Sequence, residues 1–383
     1  MNKNKRKSSC IAFLDFQKAF DTVDHKLLLR KLEAYGVRGN VLTLFQSYLS
    51  NRKQFVQIGP HKSTYRSCTC GVPQGSVLGP LLFLIYINDL PQVCTQTDAC
   101  LFADDTSIHA ETTIALQNDL NNVSVWLRQN KMSLNVDKSQ LLFFGKCPSS
   151  TDIEINNKKI SVCHEAKYLG VYLDDKLTFE HHISMVTKRV SQLNGFIYRE
   201  RSVLSTQNLI VYYNAYVKPI IQYGILAYGC TLKSKLDSIL LVQKRILRTI
   251  YRKKSYESVS GLFEQNRVLT VHEIFVYELF KYLVKLIKSS TSNWLNEAIS
   301  GLDEKRCTRS RTKGIIGRQK LVSTKFKSSL QSRTTVLYNA LTKNEYLPKN
   351  IKSLKCTECT ELCHGFRDTY LTGNFELVNI IFS

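Results

Sequence analysis

Three carboxylates stand at the ends of short apolar runs. Leu101-Phe102-Ala103 ends in Asp104-Asp105, and the run that begins Cys10 to Phe13 ends in Asp15. Two short buried strands that bring these acids to one end of a sheet would make an oxygen-rich pocket. Such a pocket suits Mg²⁺, a hard cation that binds through a few carboxylates together with substrate phosphates. Two such ions about 3.5–4 Å apart can clamp the attacking and leaving oxygens of a displacement at phosphorus. The chemistry these residues point to is nucleotidyl transfer. Crowded acids repel one another, so the pocket should be poorly stable without metal. An isolated Asp-Asp is also at home in a plain turn between strands.

The elements that must position these acids follow from periodicity. Ile11 to Phe16 reads as a strand. Asp21 to Tyr35 reads as an amphipathic helix, with Val23, Leu27, Leu28, Leu32 and Tyr35 at helical spacing and Gly36 as its stop; Val41 to Leu49 is a second helix. Gln54 to Ile58 and Tyr65 to Cys70 form a predicted hairpin around Gly59-Pro60. Its outer edge is either a template contact or a plain hairpin edge. The glycine-rich stretch Gly71 to Pro80 opens a helix from about Leu81 to Leu90, with proline in the first turn. It lacks the Gly-Lys-Ser/Thr ending of a nucleotide-triphosphatase phosphate loop. Its glycines permit close backbone approach to something flat, or simply a helix entry. Thr113 to Asn130 has helical spacing at Leu116, Leu120, Val123 and Leu127, and Leu134 to Phe144 reads as a strand carrying Lys138. Asn156-Asn157 is a hairpin signal, and Tyr168 to Leu173 completes a β-rich run. From Phe179 the texture turns helical, over Phe179 to Arg199, Gln207 to Tyr228 and Lys235 to Arg252, and then on to about Ile287. A boundary is expected near Asp174 and Asp175. Lys288 to Ser332 is rich in Ser, Thr, Lys and Arg and carries no predicted fold.

Bulk composition narrows the partners. A chain of 383 residues has room for two or three domains, and 43% hydrophobic content is ordinary. The net charge of +22 is not, and it calls for a polyanion: nucleic acid first, an anionic membrane surface second. Lys233 to Lys355 holds 26 Lys/Arg against 9 Asp/Glu, so the basic load sits behind the acidic trio. No apolar run approaches the roughly 20 residues of a membrane span. The basic Met1 to Ser9 is not followed by a secretory apolar region. The twelve scattered cysteines are read as reduced thiols of an intracellular protein, nuclear or cytoplasmic and not secreted. Cys356, Cys359, Cys363 and His364 raise zinc, but adjacent third and fourth donors make poor tetrahedral geometry, and free thiols are the reading taken.

Motif order then points to a family. Phe13-Leu14-Asp15-Phe16-Gln17-Lys18-Ala19-Phe20-Asp21-Thr22-Val23-Asp24-His25 resembles motif A of reverse transcriptases from non-LTR (LINE-type) retrotransposons. Gly71 to Phe83 resembles their motif B and Phe102-Ala103-Asp104-Asp105 their motif C. Leu134 to Ser139 is similar to motif D, and Tyr168-Leu169-Gly170-Val171 to motif E. The likeness is close over about residues 11 to 175 and looser to about 290.

The resemblance implies an α+β fold: a right-hand polymerase palm, an antiparallel sheet with helices, over residues 1–175. A helical thumb over 176–255 and a mostly helical basic region over 256–383 would follow, with fingers largely absent. It implies an RNA-directed DNA polymerase that adds deoxynucleotides from their triphosphates to a primer 3′-hydroxyl. The implied partners are an RNA template and a DNA primer or target, and the implied cofactor is two Mg²⁺, with Mn²⁺ as an alternative. Asp15 and Asp104 would hold the metals and Asp105 complete the acid cluster. Phe16 and Phe20 match nucleotide-binding positions, Phe20 crowding the sugar 2′-hydroxyl. Gln74 and Gly75 match residues against the incoming nucleotide and template base. Lys138 matches the motif D lysine that neutralises or protonates departing pyrophosphate, and Tyr168, Leu169 and Gly170 the hairpin that grips the primer end. Read without the family, Phe20 is core, Lys138 a solvated lysine and the hairpin ordinary. Asp21 and Asp24 are expected to be solvated or to cap a helix. Lys188, Arg189, Lys244, Arg245 and Arg248 are reasonable phosphate contacts on the thumb.

Only fourteen residues precede Asp15, where the family carries its fingers. The chain is therefore read as N-terminally truncated. Positioning can supply roughly 7–11 kcal/mol of barrier lowering, so the expectation is weak or absent polymerisation by this chain alone. The competing reading is an inactive retroelement remnant that only binds nucleic acid.

Overall fold

The computed structural model describes residues 9–145, 152–288, 330–343, 361–363 and 366–367. The chain divides into two compact units, Met1–Leu177 and Thr178–Ser383.

In the first unit the elements run β1 (Ser9–Leu14), α1 (His25–Ala34), α2 (Asn40–Leu49), four two-residue strands β2 (Lys53–Gln54), β3 (Gln57–Ile58), β4 (His61–Lys62) and β5 (Arg66–Ser67), then α3 (Leu78–Ile87). They continue as β6 (Asp98–Phe102), β7 (Asp105–Ala110), α4 (Thr113–Gln129), β8 (Gln140–Phe144), β9 (Glu154–Ile155), β10 (Lys158–Lys159), β11 (Ser161–Cys163), β12 (Glu165–Tyr168) and β13 (Val171–Asp174). The main sheet has the order β11-β8-β1-β7-β6. Four of its strands are antiparallel, but β11 lies parallel to β8, so the sheet is mixed and not wholly antiparallel as expected. Parallel pairing needs a crossover of a dozen or more residues, and the sixteen residues between Phe144 and Ser161 supply it.

Alternation in β1 decides which face is which. Cys10, Ala12 and Leu14 are buried, and their register partners Ala110, Ile108 and Thr106 are buried with them. That face packs into one core with Leu82, Phe83, Tyr86 and Ile87 of α3 and Leu116, Leu120, Val123 and Leu127 of α4. Ile11 and Phe13 point to the opposite, half-exposed face. A period of two therefore sends the residue after Leu14 to that open face.

Several boundaries differ from the sequence expectation. The helix predicted from Asp21 starts at His25, after a 3₁₀ turn Ala19–Asp21. Asp24 sets that start as N-cap, its Oδ1 accepting from the Leu27 N–H at 3.0 Å, the capping role anticipated for it. The hairpin around Gly59-Pro60 is two-tiered, β2 pairing β5 and β3 pairing β4. Lys138 lies on a turn and not in a strand, because β8 begins only at Gln140. The third helix runs Leu78–Ile87 and gives way to a 3₁₀ turn at Leu90–Val93, where Pro91 cannot continue an α-helix.

The second unit is helical over its described residues: α5 (Glu180–Glu200), α6 (Thr206–Tyr212), α7 (Lys218–Gln222), α8 (Ile225–Tyr228), α9 (Lys233–Ile250), α10 (Ser260–Gln265), α11 (Val271–Lys288) and α12 (Leu330–Lys343). The long helix expected from Gln207 to Tyr228 is broken. A π turn, Tyr213–Val217, precedes Pro219, whose missing N–H and ring disrupt the α ladder, and Gly224 at φ +68° ends α7. Gln243 ties the core together. Its amide donates to the Tyr213 hydroxyl at 2.7 Å and to Leu269 O at 3.1 Å, and accepts from the Val271 N–H at 2.8 Å. No helix among the described residues is long and apolar enough to cross a membrane. Of the stretch Lys288 to Ser332, residues 289–329 lie outside the described residues, as do Cys356, Cys359 and His364, while Leu330 to Ser332 begin α12.

Candidate active site

The acids meet through register. Leu14 pairs with Thr106, so the register, carried one residue on, brings Asp15, just past the end of β1, next to Asp105 at the start of β7, close enough for their charges to interact. Asp104 sits in the two-residue turn that joins β6 to β7, where Phe102 pairs with Asp105. Ala103, the other turn residue, takes φ +51°, a left-handed conformation that folds the hairpin tightly and costs about 1–2 kcal/mol for a residue with a Cβ. Asp105 senses the other two carboxylates. Burial, then the charge of Asp104, then that of Asp15, hold the Asp105 carboxyl above its ordinary range. Three hard oxygen donors with surplus negative charge fit Mg²⁺ chemically. Among the described residues, however, no group of three His, Cys, Asp or Glu side chains converges tightly enough to cage an ion by itself.

Motif D secures the backbone of Asp15. The Asp15 N–H donates to the Ser139 hydroxyl at 3.2 Å, Asp15 O accepts from the Asn135 N–H at 2.7 Å, and the Gln17 N–H donates to Ser133 O at 2.8 Å. Ser139 is fully buried and its hydroxyl donates onward to Asn135 O at 2.9 Å. Lys138 is exposed on this same segment and joins it through its own N–H to Asn135 O.

Motif B is threaded against motif A. The Gly71 and Val72 N–H groups donate to Val23 O and Phe20 O, each at 2.8 Å. His25 Nε2 lies 2.8 Å from Gly71 O, which also accepts from Arg52 at 3.2 Å. Gln74 is exposed and its amide donates to Asp21 Oδ1 at 2.8 Å. Gly75 is exposed at φ +80° with open space where a Cβ would be. Phe20 is half-buried and stacks on Phe83 with ring centroids 4.4 Å apart. Phe16, expected near the nucleotide, is 5% exposed and belongs to the core, so its side chain does not reach the open face.

Motif E leans on the same face as the acids. Tyr168 packs on Phe13 at 5.1 Å between centroids, and the Ser107 hydroxyl donates to its phenol at 3.1 Å. Leu169 and Gly170 form the β12–β13 turn, both at positive φ. Thus Asp15, Asp104, Asp105 and Tyr168 are brought together on one side of the sheet.

Residues 1–173 match the family described as reverse transcriptase (RNA-dependent DNA polymerase). Over this segment, which is under half of the 383 residues, the chain is similar to that family. The chain is 33% identical over 271 residues to the RNA-directed DNA polymerase from mobile element jockey of Drosophila funebris, covering 65% of this chain and 29% of that protein. It is 31% identical over 287 residues to the probable RNA-directed DNA polymerase from transposon BS of Drosophila melanogaster, covering 68% and 31%. The chain thus spans under a third of the length of these relatives. Among solved structures, a telomerase from Candida albicans aligns over 68% of this chain and 51% of its own, at TM-score 0.36 and 14% identity, a likeness too faint to build on.

Two residues that shape the reverse transcriptase domain escaped the sequence reading. Ser139 fell in the middle of the strand predicted from Leu134 to Phe144, and nothing local marks a hydroxyl that reaches Asp15. Asp119 did leave a trace, since a charged residue sits on α4 inside the stripe of Leu116, Leu120 and Val123. It is fully buried, and its carboxylate accepts from the Gln96 N–H at 2.9 Å, the Thr97 hydroxyl at 2.7 Å and the Thr95 N–H at 3.2 Å. These bonds hold the loop that feeds β6 and so the Asp104-Asp105 turn.

Asp119→Ala strands those donors, and we expect a loss of about 2–4 kcal/mol in chemical denaturation. Burial raises the Asp119 pKa, but the Thr97 hydroxyl and the N–H groups of Thr95 to Thr97 outweigh it, and the net shift is downward. Its contribution is therefore present above the ordinary aspartate range and disappears as pH falls through the lowered pKa. Asp105 has the opposite sign. A carboxyl held above its unfolded range favours the fold only at acid pH, and that support is lost as pH rises past about 4. Asp105→Asn should raise the Tm of the metal-free chain at pH 7 and leave it nearly unchanged below about pH 4. Scanning calorimetry at both pH values checks this, and Mg²⁺ should raise the wild-type Tm more than that of the variant.

Proposed function

We propose that this chain is the catalytic part of an RNA-directed DNA polymerase of a non-LTR retroelement, with residues 1–175 as palm, 176–255 as a helical thumb and 256–383 as a basic region behind it. One observation carries the reading: β1–β7 register sets Asp15 beside Asp105, with Asp104 in the adjoining turn. Asp15 and Asp104 would hold two Mg²⁺, with Asp105 completing the set. Bound there, the ions would acidify the primer hydroxyl and neutralise the charge that develops on phosphate. Mg²⁺ sites draw on substrate phosphates as ligands, so a finished protein cage is not required before the nucleotide arrives.

The chain's own residues do the positioning. Ser139 and Asn135 fix the Asp15 backbone. Phe20, held by Phe83, faces the nucleotide sugar and crowds a 2′-hydroxyl. Gln74 and Gly75 lie against the base pair, and Tyr168 to Gly170 steady the primer end. Lys138 neutralises or protonates departing pyrophosphate. An RNA template, a DNA primer and deoxynucleoside triphosphates are the substrates, in an intracellular compartment. The basic second unit holds the duplex through its phosphates.

A second reading, a chain that binds nucleic acid without extending it, rests on the net charge of +22. Extension of a DNA primer on an RNA template with Mg²⁺ separates the two. Incorporation that depends on Asp104 supports the polymerase, whereas tight binding with no incorporation supports the second reading.

A further inference from the structure

The two-tiered hairpin from Lys53 to Ser67 contributes nothing to any core. All fifteen of its residues are exposed. Yet it carries Phe55 at 38%, Val56 at 65%, Ile58 at 76% and Tyr65 at 67% exposure, a row of large apolar side chains on an element that buries none of them. Such a row on a soluble surface marks an interaction site.

The charges around the row identify what it meets. From Asn51 to Cys70 there are four Lys/Arg, namely Arg52, Lys53, Lys62 and Arg66, together with His61, and no Asp or Glu. The aromatic pair is already organised. Phe55 and Tyr65 meet edge to face at 4.9 Å, and Lys62 Nζ stands 5.5 Å from the Phe55 ring. Ser63 fixes the bend between the tiers, its hydroxyl accepting from the Val56 N–H at 2.9 Å and its N–H donating to Val56 O at 2.9 Å. At the foot of the hairpin lies a cavity of about 830 Å³ whose lining includes His25, Lys26, Arg52, Lys53 and Lys131. Its acid, Asp24, is engaged by Lys131 at 2.7 Å. Arg52, on that lining, also donates to Gly71 O.

We propose that this hairpin and the cavity at its foot are a binding arm for a single-stranded polynucleotide. Phe55 and Tyr65 take unpaired bases by stacking, and Lys53, Lys62 and Arg66 take the phosphates. Base–aromatic stacking combined with a basic track is how unpaired strands are held without sequence preference. A duplex keeps its bases stacked on one another and offers nothing to the rings. The inference stands on the hairpin's own residues and does not rest on the polymerase reading. Through Arg52 the arm reaches the backbone of motif B, which places a strand held on it next to the Gly71 loop.

Ultraviolet crosslinking of the full chain to a 12-nucleotide oligouridine, with adducts mapped by mass spectrometry, tests the arm directly. We expect adducts at Phe55 or Tyr65 that an unlabelled single strand competes away and a duplex of the same length does not. Adducts confined to the basic second unit would overturn the proposal. In fluorescence anisotropy, Phe55→Ala with Tyr65→Ala should weaken oligouridine binding about tenfold or more. Lys53→Gln with Lys62→Gln and Arg66→Gln should flatten the slope of log K against log salt by about 2. These side chains are exposed, so an unchanged Tm certifies both variants as folded. Wild-type affinity and slope in folded variants would overturn the proposal. So would a concentration-dependent dimer in sedimentation that the double alanine variant abolishes while oligouridine binding persists, because the row would then serve a second copy of the chain. Asp104→Asn should bind oligouridine as the wild type does, so failure of the arm and failure of the polymerase reading are read separately.

Discussion

Replacing Asp104 by Asn should lower Mg²⁺-dependent primer extension on an RNA template by at least about 10²–10³-fold, the scale seen when one electrostatic stabiliser of a transition state is removed. The substitution keeps shape and removes charge. Asp104 lies exposed in the β6–β7 turn and packs into no core, so the fold should survive, and the Tm should stay at or slightly above that of the wild type. Removing a negative charge from a surface that receives a polyanion should leave RNA affinity equal or slightly tighter. Extension by gel assay and binding by anisotropy, on the same preparations, check both halves. Extension within tenfold of wild type would exclude the Asp104 carboxylate as a metal ligand.

Gly71→Ala should be a strongly damaging small substitution in motif B. A Cβ at Gly71 would lie 2.7 Å from Asp21 O and 2.9 Å from Asp21 Cα, and the residue sits at φ +82°. Both neighbours are backbone, so no rotamer change relieves the contact. The conformation alone costs about 1–2 kcal/mol, and separating Gly71 from Asp21 would break its bonds to Val23, His25 and Arg52. A total of about 3 kcal/mol or more is expected, or about 6–12 °C in Tm for a unit of this size. Gly75→Ala is the internal control. Gly75 has φ +80° but nothing within 4 Å of the added carbon, so only the conformational cost applies. Equal losses in the two variants would show that steric contact with Asp21 is unimportant.

What the residues disclosed in advance divides along physical lines. That short apolar runs carry Asp15 and Asp104-Asp105 to one end of a sheet was legible because such runs are a local pattern, whereas which acid stands next to Asp15 is set by the β1–β7 register and was not. The N-cap at Asp24 was legible for the same reason, a short side chain satisfying a nearby N–H. Contacts between segments distant in the chain were not. Ser139 reaches Asp15 across 124 positions, and Lys138 leaves the strand pattern because that segment bonds to Asp15 and Gln17 in preference to continuing β8. Phe16 was matched to a nucleotide-binding position by resemblance alone, and strand alternation, which sends it to the buried face, was not part of that match. The parallel edge strand β11 and the π turn before Pro219 depend on where the chain must go next, which no window of local pattern contains.

The hairpin between β2 and β5 also sets where this domain can change length. Because it buries nothing, adding or deleting residues at its tip alters only loop-closure entropy, about 0.6 kcal/mol for each doubling of the loop. A single residue inserted into β7 would instead reverse every side chain beyond it, exposing Ile108 and driving Ser107 into the core. Length variation among relatives should therefore accumulate between Asn51 and Cys70 and be purged from β1 and β7, and a deep alignment would record the active sheet as a gapless block beside a ragged one.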